Sequence, residues 1–135
     1  MELKPSSAPV QNQTKKGWFE IDGKRMYLKS DWERKYALYL DYMKKHGHIM
    51  DWEYEPETFW FDKIKRGTNN YKPDFRVLFP TGNYEYIEVK GHTTSKDLTK
   101  WKRMKKYHPH INLRVIDGSW FKIVNKQLKN LINQW

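Results

Sequence analysis

Apolar residues recur along this chain with two different periods, and the switch between them marks out the elements. From Ser30 to about Lys45, Trp32, Tyr36, Leu40 and Met43 fall on one face at helical spacing. Ser30 and Glu33 form an S-x-x-E capping pair at the start of that helix, and Gly47 supplies its stop. Before it, Trp18–Ile21 and Arg25–Leu28 flank Asp22-Gly23, a two-residue hairpin signal. After it, His48 to Phe61 reads as extended chain broken into two pieces by Pro56, followed by a basic, polar loop from Lys63 to Asn70. Tyr71–Phe79 and Tyr84–Lys90 read as strands joined by the Pro80-Thr81-Gly82-Asn83 turn, hence as an antiparallel hairpin. A second helix is predicted over Ser95–Tyr107, with Leu98, Trp101 and Met104 inward and Pro109 ending it. Ile111, Leu113 and Val115 alternate as a further strand, and Ser119–Trp135 is predicted helical. This order gives an α/β fold, a small mixed β-sheet flanked by helices.

Composition narrows the picture. The chain has 135 residues, enough for one core but not two. Met1–Lys16 is polar, with Pro5 and Pro9, and reads as a disordered arm, which leaves residues 17–135 as a single domain. The formal net charge of +10 favours a polyanionic partner, nucleic acid before an anionic membrane surface. With no cysteine, disulfides, thiolate metal sites and a cysteine nucleophile are excluded. No stretch approaches the roughly 18 apolar residues of a membrane span, and Met1–Lys16 lacks a signal-peptide core. A soluble, intracellular protein is expected. His46 and His48, and His108 and His110, are paired two apart, but a zinc site needs more ligands than either pair offers.

Candidate chemistry sits on the two hairpin strands. Side chains two apart on a strand share a face, so Glu88 and Lys90 point one way while Ile87 and Val89 point into the core. A tight hairpin brings Asp74, early on its strand, close to Lys90, late on the partner. Two carboxylates and an ammonium at one end of a sheet suit phosphodiester hydrolysis. Mg²⁺ takes one or two carboxylates with water and substrate phosphate, and a lysine nearby can orient the attacking water or stabilise developing charge. The plain alternative is a solvated Glu88–Lys90 pair, and Glu53, Glu55 and Glu57 are competing acids.

P-D followed by E-x-K-G on adjacent strands, after a helix that carries S-x-x-E, resembles the PD-(D/E)xK nuclease superfamily. From Ser30 to Asp117, the Y-x-P-D-F string, the E-x-K-G string, the basic helix and then His108-Pro109 resemble most the phage endonuclease I, or Holliday-junction resolvase, group. The resemblance implies a restriction-endonuclease-like core and a Mg²⁺- or Mn²⁺-dependent endonuclease acting on branched or structured DNA. It makes Asp74 and Glu88 metal ligands, with the Val89 carbonyl as a further ligand, and Lys90 the catalytic lysine. Glu33 would complete the metal shell, although the capping pair alone also accounts for it. Junction resolution needs two active sites, hence a homodimer. Two other functions stay open: a restriction, transposition or repair nuclease on duplex or single-stranded DNA, and a nucleic-acid-binding module that does not cut.

The second helix carries Lys96, Lys100, Lys102, Arg103, Lys105 and Lys106 against one acid, Asp97. A charge run is often only a solvated face, but this one starts a few residues after Lys90. Lys96, Lys100 and Arg103 are expected to share an exposed side and contact DNA, with Lys102, Lys105 and Lys106 on another. The loop residues Lys63, Lys65 and Arg66 are a second candidate DNA contact.

Overall fold

Asp22 and Gly23 both take positive φ, 58° and 71°, the left-handed pair that a two-residue hairpin turn requires. In the computed structural model, which describes residues 16–135, they join β1 (Gly17–Ile21) to β2 (Lys24–Leu28). The arm expected over Met1–Lys16 lies, apart from Lys16, outside the described residues. Helix α1 (Asp31–Lys45) starts as expected, Ser30 Oγ accepting from the Glu33 N–H at 3.1 Å. The reciprocal half of the capping box differs. Glu33 Oε1 reaches one residue further back and accepts from the Lys29 N–H at 3.0 Å. At the other end the Gly47 N–H donates to the Lys44 carbonyl and the His48 N–H to the Met43 carbonyl, closing the helix where Gly47 was expected to.

The chain continues through β3 (Asp51–Tyr54), β4 (Phe59–Trp60), β5 (Asn70–Tyr71), β6 (Phe75–Leu78) and β7 (Tyr84–Val89). It then forms α2 (Ser95–Tyr107), β8 (Leu113–Ile116) and α3 (Gly118–Leu131). The central sheet has the order β3-β6-β7-β8, antiparallel except for the parallel pair β7–β8 that α2 connects. β4 and β5 form a separate two-stranded sheet. Among the described residues the architecture is therefore α/β, a mixed four-stranded sheet with three helices. Among the described residues, no helix is long and apolar enough to cross a membrane.

The single strand expected over Tyr71–Phe79 is two. Pro73 has no N–H to give to a ladder, and there the chain leaves the small sheet and enters the central one. Phe75, Val77, Ile87 and Val89 then pack in one cluster with Tyr36, Ala37 and Leu40 of α1 and Phe121 of α3. Tyr86 packs in another, with Phe59, Phe61, Tyr71 and Met104. Two inward positions are corrected. Leu98 is 58 % exposed, because the buried stripe of α2 runs through Asp97 and Met104, one residue out of phase with the expected Leu98. In β8 it is Ile116, clustered with Phe121 of the following helix, that is buried, while Val115 is exposed.

Helix α3 ends earlier than expected, at Leu131, and the tail returns to α1. Arg34 donates to the carbonyls of Gln134 at 2.5 Å and Trp135 at 3.0 Å. Its start passes close to α1, since a Cβ on Gly118 would lie 3.0 Å from the Trp32 ring.

Phe75 is fully buried and meets Tyr36, Trp52 and Tyr54 at ring-centroid distances of 5.5, 6.1 and 5.3 Å. It is the residue that packs the carboxylate-bearing end of β6 against α1. Phe75→Ala is expected to cost about 3–5 kcal/mol, measured by urea unfolding. A loss below about 1 kcal/mol would mean that the neighbouring rings collapse into the space.

Candidate functional site

The β6–β7 register pairs Phe75 with Ile87. Asp74 precedes the first and Glu88 follows the second, so the two carboxylates meet where the hairpin strands leave their pairing. Asp74 Oδ2 accepts from the Val89 N–H at 2.8 Å. Glu88 Oε1 accepts from the Tyr71 hydroxyl at 2.6 Å. Glu33 reaches the same end of the sheet from the first turn of α1, and its Oε1 accepts from the Tyr54 hydroxyl at 2.8 Å as well as from Lys29. All three carboxylates are only 7 % exposed. In each, one oxygen is fixed by a hydrogen bond. The second oxygens of Asp74 and Glu33 accept none among the described residues, and that of Glu88 has only Lys90 Nζ at 3.9 Å.

Burial pushes the Asp74 carboxyl well above the usual carboxylate range, and the charges of Glu88 and Glu33 push the same way against the Val89 N–H. Burial also raises Glu88, opposed by the Tyr71 hydroxyl and by Lys90. The hydroxyls of Tyr71 and Tyr54 are themselves raised, first by burial and then by the carboxylates they serve, so both stay protonated donors.

Lys90 Nζ lies 3.2 Å from Asp97 Oδ1 as well as 3.9 Å from Glu88. Asp97 was grouped in the sequence with the basic run as its one acid, yet it is buried at the N-terminus of α2. Its Oδ2 accepts from the Thr94 N–H and hydroxyl, both at 2.9 Å. Burial would raise the Asp97 carboxyl, but those bonds and Lys90 outweigh it and hold it below the usual range. The T-x-x-D spacing of Thr94 and Asp97 was the signal available in the sequence for this residue.

The competing acids have ion pairs of their own. Glu53 and Glu57 pair with Arg76, and Glu55 with Lys29 at 2.6 Å and Lys72 at 3.6 Å. Of the histidines, His46 bonds the Tyr42 carbonyl and His108 that of Trp60. The basic residues separate. Lys96, Lys102, Lys105 and Lys106 are exposed, as are Lys63, Lys65 and Arg66. Lys100 is half-buried, its Nζ 6.0 Å from the ring centroid of Tyr71, the tyrosine that holds Glu88. Arg103, expected beside Lys96 and Lys100 on an open face, is also half-buried and donates to the Thr68 carbonyl, which ties α2 to the basic loop between β4 and β5.

The arrangement offers hard oxygen donors. Among the described residues, no group of three or more acidic or histidine side chains is gathered closely enough to hold a metal ion as it stands. Mg²⁺ needs only one or two carboxylates, its other positions going to water and phosphate. Asp74 and Glu88, buried beside each other with like charge, fit that need.

The raised carboxyls fix the sign of a stability effect. A carboxyl raised by folding favours the folded state below the ordinary carboxylate range, and that contribution is lost as pH rises through the raised value. The metal-free protein should therefore lose stability as pH rises above the ordinary carboxylate range, about pH 4, through Asp74 and Glu88. Asp74→Asn keeps an acceptor for the Val89 N–H and removes the charge. Its melting temperature should exceed wild type by several degrees at pH 7–8 and match it near pH 4. A lower melting temperature at neutral pH would show that the Asp74 charge stabilises the fold.

Over residues 13–125 the chain matches the family described as "Protein of unknown function (DUF1064)". No curated protein matches the chain. The matched segment runs from before β1 into α3, and so takes in the whole central sheet and every residue of the carboxylate cluster: the chain belongs to the DUF1064 family.

Proposed function

We propose that this protein is a Mg²⁺- or Mn²⁺-dependent endodeoxyribonuclease with a restriction-endonuclease-like core, acting on branched or structured DNA. The observation that carries this is the convergence of Asp74, Glu88 and Glu33, all buried, with Lys90 at one end of the sheet. The order α1, β3, β6, β7, α2, β8, with P-D just before β6 and E-x-K at the end of β7, supports the same assignment. A bare cluster of buried like charges is costly, and a divalent cation is its natural counterion.

In this function Asp74 and Glu88 would hold the metal, with Glu33 and the Val89 carbonyl completing its shell. The bound metal supplies a lowered pKa for water and stabilisation of charge on the phosphate. Tyr71 and Tyr54 hold the carboxylates in place through their hydroxyls. Lys90, held between Glu88 and Asp97, is within reach of the same end of the sheet, where its ammonium can offset negative charge as the phosphodiester is attacked. Lys100, over the Tyr71 ring, would hold a phosphate next to the cluster. A four-way junction would call for two such sites and hence a homodimer, a single nick for one. Such an enzyme would work in the cytoplasm of the cell whose DNA it cuts.

Cleavage of plasmid and junction DNA should require Mg²⁺ or Mn²⁺, stop with EDTA and be weak or absent with Ca²⁺, which activates water poorly. Asp74→Ala, Glu88→Ala and Lys90→Ala should each abolish cleavage and leave a folded protein, with metal affinity lost in the two carboxylate variants and kept in Lys90→Ala. Glu33→Gln can still accept from Lys29 and Tyr54, so it should fold and yet be inactive. Full activity in EDTA, or an active Glu88→Ala, would end this proposal.

The position of Lys100 favours the Lys96–Lys100 side of α2 as the phosphate grip. Replacing Lys96 and Lys100 by Ala should flatten the slope of log K against log salt on duplex DNA by about two units, read in Ca²⁺ to prevent cutting. Arg103 is left intact there because it pins Thr68. An unchanged slope would move the grip to Lys102, Lys105 and Lys106 or to the Lys63–Arg66 loop.

A further inference from the structure

Between the β1–β2 hairpin and the edge strand β3 lies a cleft of about 680 Å³ that the carboxylate chemistry does not use. Its hairpin wall presents Trp18 and Tyr27, exposed by 61 % and 40 % and packed edge-to-face at 5.5 Å. The Arg25 guanidinium lies 4.8 Å from the Trp18 ring and has no ion pair among the described residues, whereas Lys24 pairs with Asp51 and Arg76 with Glu53. The opposite wall includes Tyr54 and Glu55. Tyr54 is the residue whose hydroxyl holds Glu33, so the cleft and the carboxylate cluster share this side chain.

An exposed tryptophan beside an exposed tyrosine keeps large apolar faces in water, and the Arg25 guanidinium over one of them adds a cation. Nucleobases stack on such faces whatever their sequence, and arginine serves the phosphate between them. A double helix keeps its bases stacked on one another and offers none to the rings. We infer that this cleft binds an unpaired stretch of DNA strand, one base stacked on Trp18, and so directs the enzyme to DNA that carries single-stranded or branched segments. The inference rests on the nuclease proposal for its biological sense, but its test does not depend on cleavage.

The test is binding of labelled (dT)12 and of a 12-base-pair duplex in Ca²⁺, followed by anisotropy. Trp18→Ala should weaken (dT)12 binding fivefold or more, within the range for loss of one stacked base, and duplex binding less than twofold. Trp18→Phe, which keeps a ring, should retain most of the single-strand affinity, and both variants should melt close to wild type because Trp18 is largely exposed. The ratio of wild type to Trp18→Ala should hold constant as salt rises, since stacking releases no counterions. Unchanged (dT)12 affinity in Trp18→Ala, or an equal loss on duplex, would overturn the inference. A protein that binds (dT)12 through Trp18 and yet cuts no DNA in Mg²⁺ would support the cleft and sink the nuclease proposal, so the two fail separately.

Discussion

Three carboxylates held almost out of water at one end of a sheet are the constraint around which the rest of this molecule is arranged. Asp74 and Glu88 are raised by burial and by neighbouring acids, so their ionised forms oppose folding. What opposes this is a set of donors drawn from separate elements: the Val89 N–H on β7 for Asp74 and the Tyr71 hydroxyl on β5 for Glu88, while the Lys29 N–H before α1 and the Tyr54 hydroxyl on β3 hold Glu33. Each tyrosine is buried enough to stay protonated, so each remains a donor to the acid it faces. Buried polar groups are stable only when satisfied, and here that requires both the central and the small sheet to be in place.

The break at Pro73 follows from the same constraint. If Tyr71 continued in one strand with Phe75, it would pair in the central sheet. By leaving the ladder at Pro73 the chain puts Tyr71 on the small sheet, from which its hydroxyl reaches Glu88. Immediately behind, Phe75 locks that end of β6 against Tyr36, Trp52 and Tyr54. The cluster is thus backed by an aromatic core, and a shift of β6 would be felt in α1 as well as in the carboxylates.

Helix α2 contributes in a different way. Asp97 uses one oxygen to cap the helix at Thr94 and the other to hold Lys90. The position of the lysine is therefore coupled to the start of the helix. Further along, Arg103 joins the helix to Thr68, which ties α2 to the loop between β4 and β5.

Much of this was legible from residue order alone. Helical spacing with Ser30 and Gly47 sets the limits of α1, Asp22-Gly23 sets the first hairpin, and α2 spans the Ser95–Tyr107 segment that its periodicity predicts. These are local effects: a cap, a turn and a periodicity each act within a few residues. The placing of Glu88 beside Asp74 on one side and Lys90 on the other was also readable, because strand alternation and a short hairpin leave little freedom. What the sequence could not decide depended on distant partners. Nothing local says that Asp97 turns inward to Lys90 while Leu98 faces water, since either residue could lead an amphipathic stripe. Nothing local gives Tyr54 to Glu33, Tyr71 to Glu88 or Arg103 to Thr68, contacts that span 21, 17 and 35 residues. The chain encoded its elements and its acids by short-range rules. Which hydroxyl serves which acid was left to packing, because a buried charge takes whatever donor the assembled layers bring within reach.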